Sequence, residues 1–197
     1  MKKTAMFILL LFCGMAMAQK KKVTSGDFKN LKGISEYNLV FDYTNLKVDK
    51  FETEEEFLAD KMKKREEKGT DEDFKKSWFS DREERYEPKF IESFNKRFEG
   101  EVKADKKLTS AKYTATVKTT WIYPGYNVGV MRQPSKLNAT ITVTENGNPG
   151  NVVISVDYEK VLGNGAAGFD YNSGYRISEA YAKLAKEFAA EIKKVNK

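Results

Sequence analysis

The chain has no histidine, a single cysteine and only 4 prolines in 197 residues. Without histidine it lacks the commonest general base, the commonest zinc ligand and any Ser-His-Asp triad. Any chemistry falls to Asp, Glu, Lys, Ser or Tyr, and neither a metal site nor a cofactor is expected. Cys13 lies inside the amino-terminal apolar stretch, so the rest of the chain has no thiol and its fold must stand on its core alone. No apolar run reaches the roughly 20 residues that a membrane-spanning helix needs. Neither sign of charge dominates: 35 Lys and Arg face 29 Asp and Glu. The two signs are interspersed, which argues against a nucleic-acid partner.

What is present begins with an address. Lys2 and Lys3, the apolar run from Ala5 to Phe12, and Ala16-Met17-Ala18 before Gln19 match a secretory signal peptide cleaved after Ala18. Phe12 occupies the position where acylation of Cys13 would require a small residue. The expected product is a periplasmic or secreted protein with no transmembrane segment in its mature chain. Its length suits one domain. Residues 19–33, with Lys20-Lys21-Lys22, read as a flexible basic tail, and residues 34–197 as the domain.

Hydrophobic periodicity gives the elements. Tyr37, Leu39, Phe41 and Tyr43 alternate with polar neighbours, predicting a strand over 36–48. Thr53 and Glu56 form a capping box for a mostly solvated helix over 54–68. A short helix after Thr70 carries Phe74, Trp78 and Phe79, and Pro88 opens another with Phe90, Ile91, Phe94 and Phe98 on one face. Tyr113, Ala115, Val117, Thr119 and Trp121 predict a half-wet strand; Leu137 to Val143 and Val152 to Tyr158 repeat the pattern, joined by the turn at 146–150. Ile177, Tyr181, Leu184, Phe188 and Ile192 form the stripe of a long final helix. The expected fold is α+β: a two-layer sandwich with a mostly antiparallel sheet of about four strands, two core helices on one face, and a peripheral charged helical insert over 53–86.

Gly163-Asn164-Gly165-Ala166-Ala167-Gly168 spells G-x-G-x-x-G, but Phe169 to Ser173 separate it from the next helix, so it is not a dinucleotide fingerprint. Asp157 and Glu159 share the polar face of a predicted strand, where a solvated surface outweighs an acid/base pair. With strands running up, down and up, the connections at 123–136 and 163–176 leave the same end of the sheet. They hold Tyr123, Tyr126, Arg132, Phe169, Tyr171, Tyr175 and Arg176. Exposed Tyr with Arg suits a recognition surface, and equally these rings could fold back to cap the core.

The stretch Val117–Arg132, with Thr120-Trp121-Ile122-Tyr123-Pro124-Gly125-Tyr126 at its centre, and Gly174–Lys183 resemble a group of uncharacterised secreted Bacteroidetes proteins. The order of elements is similar to small α/β envelope domains typified by the TolB amino-terminal domain and the penicillin-binding-protein activator LpoB. The charged insert departs from that pattern. The resemblance implies a non-enzymatic module that works by contact with an envelope protein or peptidoglycan-associated partner. The alternative is a carboxylate-dependent hydrolase acting on envelope polymers.

Overall fold

The computed structural model describes residues 19–164 and 171–197. Its centre is a 7-stranded sheet. The strands are β1 (Lys20–Gly26), β2 (Glu36–Asp42), β3 (Lys47–Val48), β4 (Lys103–Asp105), β5 (Tyr113–Tyr123), β8 (Ser135–Glu145) and β9 (Asn148–Gly163). A separate ribbon pairs β6 (Tyr126–Asn127) with β7 (Arg132–Gln133). Across the sheet the order is β1-β9-β8-β5-β2-β4, with β3 beside β5. The helices are α1 (Glu54–Lys63), α2 (Asp71–Asp81), α3 (Glu87–Asn95) and α4 (Ser173–Val195).

The α+β class holds, but the sheet is mixed and larger than the four strands expected. β2 runs parallel to both β4 and β5, and β3 is parallel to β5. The crossover from β2 to β5 carries the entire helical insert, which is the length of connection that parallel strands require. The strand expected over 36–48 is broken into β2 and β3, with Asn45 left-handed at φ 59. The break sits opposite a register shift in β5 between Thr119 and Trp121. That bulge reverses the side-chain alternation. Trp121, expected on the core row, instead donates its indole N–H to the Asp49 carbonyl at 2.9 Å, and Ile122 takes the buried position.

The basic tail expected over 19–33 is instead the first strand of the sheet. β1 pairs antiparallel with β9, setting Lys20 opposite Glu159 and Lys22 opposite Asp157. Opposite charges facing across a ladder stabilise it by a few tenths of a kcal/mol, about 0.2 to 1. Lys21 reaches over to Glu191 of α4, and Leu31 just beyond is fully buried. Every residue of β1 is exposed, so no hydrophobic alternation marks it. Its lysines also discourage a second chain from pairing along this edge.

Glu191 should make the docking of β1 pH-dependent. Burial raises its pKa, but the ammonium groups of Lys21 and Lys194 outweigh burial and hold it below its ordinary value. A carboxyl with a depressed folded pKa stabilises the fold above its unfolded pKa, and that contribution is lost as pH falls through the folded value. Acidification should therefore loosen β1 before the core, seen as selective shifts in the amide resonances of Lys20–Gly26. Glu191→Gln should abolish that acid-induced difference; if it persists in the variant, Glu191 does not hold the strand.

α3 and α4 pack against one face of the sheet. Phe94 of α3 meets Phe188 of α4 with ring centroids 6.1 Å apart. Pro88 lies in the first turn of α3, as expected, but no break precedes it. α2 runs into α3 through a π-helical turn over Arg82–Tyr86, whose wider register accommodates the N–H that Pro88 lacks. The insert is charged outside but apolar within: Phe57, Leu58 and Trp78 are buried and join the main core. Glu54 fastens it, accepting from the Trp78 indole at 2.6 Å and from Arg82, whose guanidinium covers the Tyr43 ring at 4.4 Å.

Candidate functional site

β5 and β9 run in the same direction, both antiparallel to β8 between them. Their carboxyl ends, with Tyr123 opposite Lys136 and Gly163 opposite Ser135, therefore lie at one end of the sheet. The connection after β5 becomes the β6–β7 ribbon; Gly125, at φ 66, admits it, because a Cβ there would lie 2.4 Å from the Gln133 carbonyl oxygen. The connection after β9 returns at Tyr171 and enters α4, whose N-cap Asn172 accepts from the Gly174 N–H at 2.7 Å.

Arg176 ties the two connections together. Only 6% exposed, it donates from Nε to the Pro124 carbonyl and from Nη2 to the Gly125 carbonyl, each at 3.1 Å. Ser135 Oγ donates to the Arg176 carbonyl at 2.5 Å. Arg176 is thus chiefly a clamp that sets the shape of this end. Arg176→Ala should cost about 2 kcal/mol, since two charge-assisted bonds are lost and two carbonyls are stranded. Tyr171→Ala and Arg132→Ala, both exposed, should each cost under about 0.5 kcal/mol in the same denaturant melts.

Against this end stands the helical insert, and a cleft of about 420 Å³ opens between them. Tyr123, Tyr126 and Tyr171 line it from the connections, and Phe74, Trp78 and Arg65 from the insert. None of the four tyrosines at this end belongs to the buried core. Tyr123 donates its hydroxyl to Gln133 Oε1 at 2.9 Å and stacks on Trp121 with centroids 6.3 Å apart. Burial raises its pKa, with Asp49 and Tyr126 adding to the effect and Arg176 opposing it.

The lining is cationic. Among the described residues Lys61, Lys64, Arg65 and Arg176 contribute to it, against one carboxylate, Asp49. Lys64 is engaged with Asp60 at 2.8 Å, and its hydrogen bond lowers the Asp60 pKa. Arg65 lies over the Phe74 ring at 4.2 Å and gives one N–H to the Lys61 carbonyl at 3.0 Å. Among the described residues no carboxylate comes within ion-pairing distance of it.

The expected site residues therefore separate. Tyr123, Tyr126, Tyr171 and Arg176 converge on the cleft. Tyr175 does not: its ring lies under the Arg85 guanidinium at 4.6 Å, beside the π-helical turn between α2 and α3. Arg132 is exposed on β7, beside a ribbon tip where Val128, Val130 and Met131 are 62%, 94% and 60% exposed. Phe169 lies outside the described residues. Missing from the sequence expectation were Lys61, Arg65, Phe74 and Trp78. A signal existed, because Phe57, Lys61 and Arg65 recur at four-residue spacing and so share one helical face. Asp157 and Glu159 lie far from the cleft along β9; Asp157 accepts from Thr140 Oγ1 at 2.6 Å on the open face of the sheet. Among the described residues no three metal-ligating side chains gather, and no helix is long and apolar enough to cross a membrane.

No protein-family model and no curated protein matches the chain. Among solved structures it is similar to a point variant of the PelC dodecamer from Paraburkholderia phytofirmans. The identity is 12% and the TM-score 0.44, over 89% of this chain and 97% of that one. A second crystal form of the PelC dodecamer from the same organism gives 11% identity and a TM-score of 0.39, over 86% and 96%. At that distance nothing about this chain's activity follows.

Proposed function

We propose that this is a non-enzymatic binding or envelope-assembly module of the periplasm or cell exterior, which holds a partner at the aromatic end of its sheet. One observation carries the reading: the two tyrosine-bearing connections and the cationic face of the insert, distant in sequence, meet around a single cleft. Half-exposed aromatics with arginine are the composition of recognition surfaces. The reading accords with the resemblance to small envelope domains, and it names an envelope protein or a peptidoglycan-associated component as the partner. The alternative hydrolase has less support, because acid/base hydrolysis uses two carboxyl groups and among the described residues Asp49 is the one carboxylate lining the cleft.

The test is capture from cell envelopes, read by mass spectrometry, with the protein compared with Tyr126→Ala/Tyr171→Ala. The double variant should keep its melting point and lose the partners that the unaltered protein retains. An identical set of captured proteins from both would sink the reading.

A further inference from the structure

The chemistry of the cleft narrows what it holds, on the reading just given that this end of the sheet is the binding end. The geometry points to a carboxylated sugar as the ligand: one or two pyranose rings lying against the tyrosines, with the carboxylate on Arg65 and Lys61.

Arg65 is the first argument. Its Cζ lies 4.2 Å over the Phe74 ring and the Lys61 carbonyl occupies one N–H, two contacts that restrain the guanidinium. The other N–H groups have no protein acceptor among the described residues, so the fork is oriented and open. A planar guanidinium held in this way matches a carboxylate through two parallel hydrogen bonds, a fit that a point charge does not offer. Lys61 stands one turn away, with its ammonium 3.7 Å from Asp60, a loose pairing that leaves it free to share a second anion. A divalent cation would meet net positive charge here.

The walls supply the second argument. Tyr126 is partly exposed and Tyr171 is 71% exposed, so they offer surface to an apolar face that is itself edged with polar groups, whereas the Tyr123 ring is covered by Trp121, stacked on it, and by the Lys136 ammonium 5.7 Å from its centroid. A sugar ring has that character: C–H bonds on its faces and hydroxyls around its rim. Asp49 completes the match. Among the described residues it is the one acid of the lining, and no cation stands within ion-pairing distance of it. A simple anion leaves that carboxylate without a donor, whereas a ligand bearing hydroxyl donors as well as a carboxylate satisfies both ends of the cleft. The volume of about 420 Å³ lies in the range of small-ligand sites.

Two sources supply such a sugar: the muramic acid of peptidoglycan, and uronic acids of secreted polysaccharides. Calorimetric titration with N-acetylglucosaminyl-N-acetylmuramic acid and with trigalacturonate separates them. The neutral controls are chitobiose and the methyl ester of trigalacturonate. At least one acidic saccharide should bind about tenfold or more tightly than its neutral counterpart, and the stronger of the two names the source. Arg65→Gln should erase the preference for the acid, while Tyr171→Ala should weaken binding with the melting point unchanged. Rising salt should weaken the acid and spare the neutral sugar. Equal affinity for acid and neutral forms, absence of binding to both acids, or a preference that survives Arg65→Gln and Lys61→Gln would overturn the assignment. In those cases loss of the captured envelope partner from Tyr126→Ala/Tyr171→Ala would still mark this as the binding end. Retention of that partner would remove the binding end as well.

Discussion

Phe94→Ala should lower the free energy of unfolding by about 4 kcal/mol, within the range of about 3 to 5 for a buried phenylalanine. Phe94 is 1% exposed and stands where α3 meets both β2 and α4. Its ring lies 6.1 Å from Tyr37 of β2, edge-on at 80°, 6.1 Å from Phe188 of α4, and 5.1 Å from Phe98 beyond α3. Rings so placed add pairwise attraction to the area they bury. They are also stiff, so the space left by the missing ring collapses poorly. Lys64→Ala is the matched control: its side chain is 63% exposed and pairs with Asp60 alone, so it should cost under about 0.5 kcal/mol. Urea melts of the two variants give the comparison directly. A loss under about 1 kcal/mol for Phe94→Ala would mean that α3 does not press on the sheet as described.

Gly163→Ala should be nearly as severe, about 3 kcal/mol, for the opposite reason: too much volume rather than too little. A Cβ on Gly163 would lie 2.1 Å from the Arg176 carbonyl oxygen, 2.1 Å from Ser135 Oγ and 3.0 Å from the Ala180 nitrogen. Two of those atoms are backbone of α4, so the helix itself must move. The displacement breaks the bond from Ser135 to the Arg176 carbonyl and carries the guanidinium away from Pro124 and Gly125. The damage should reach the cleft, and binding there should fall together with stability. Gly147→Ala, whose Cβ would meet nothing within 4 Å, should change neither. Ser135→Ala should cost only about 1 kcal/mol, the worth of one hydrogen bond. An unchanged melting point for Gly163→Ala would show that α4 can yield without loss.

Much of this could be read before the fold was seen, because it rests on local periodicity. Val117, Ile141 and Val156 lie on the buried rows that their alternation requires, and Tyr181, Leu184 and Phe188 on the buried stripe of α4. The common end of the 123–136 and 163–176 connections followed from counting strand directions. What could not be read is what local pattern does not encode. β1 is specified by its partner strand rather than by its own hydrophobicity, and the bulge that turns Trp121 outward carries neither Gly nor Pro to announce it. The parallel pairing of β2 with β5 depends on the whole insert folding back across the core. For the same reason the cleft was half visible: its tyrosines lie in the connections, but Arg65 and Phe74 meet them only through the tertiary placement of α1 and α2.

The pairing of β1 with β9 also fixes a sequence of events. Thr24 donates to the carbonyl of Ser155, 131 residues further along the chain. Closing so long a loop is entropically costly until the intervening elements have already brought its ends together. By sequence separation the hairpin of β8 and β9 should close first, β5 should add to it, and β1 should be the last strand immobilised. A ribosome-bound chain ending before β9 therefore leaves Lys20–Gly26 unpaired, accessible to chaperones and proteases, however much of the remaining core has formed.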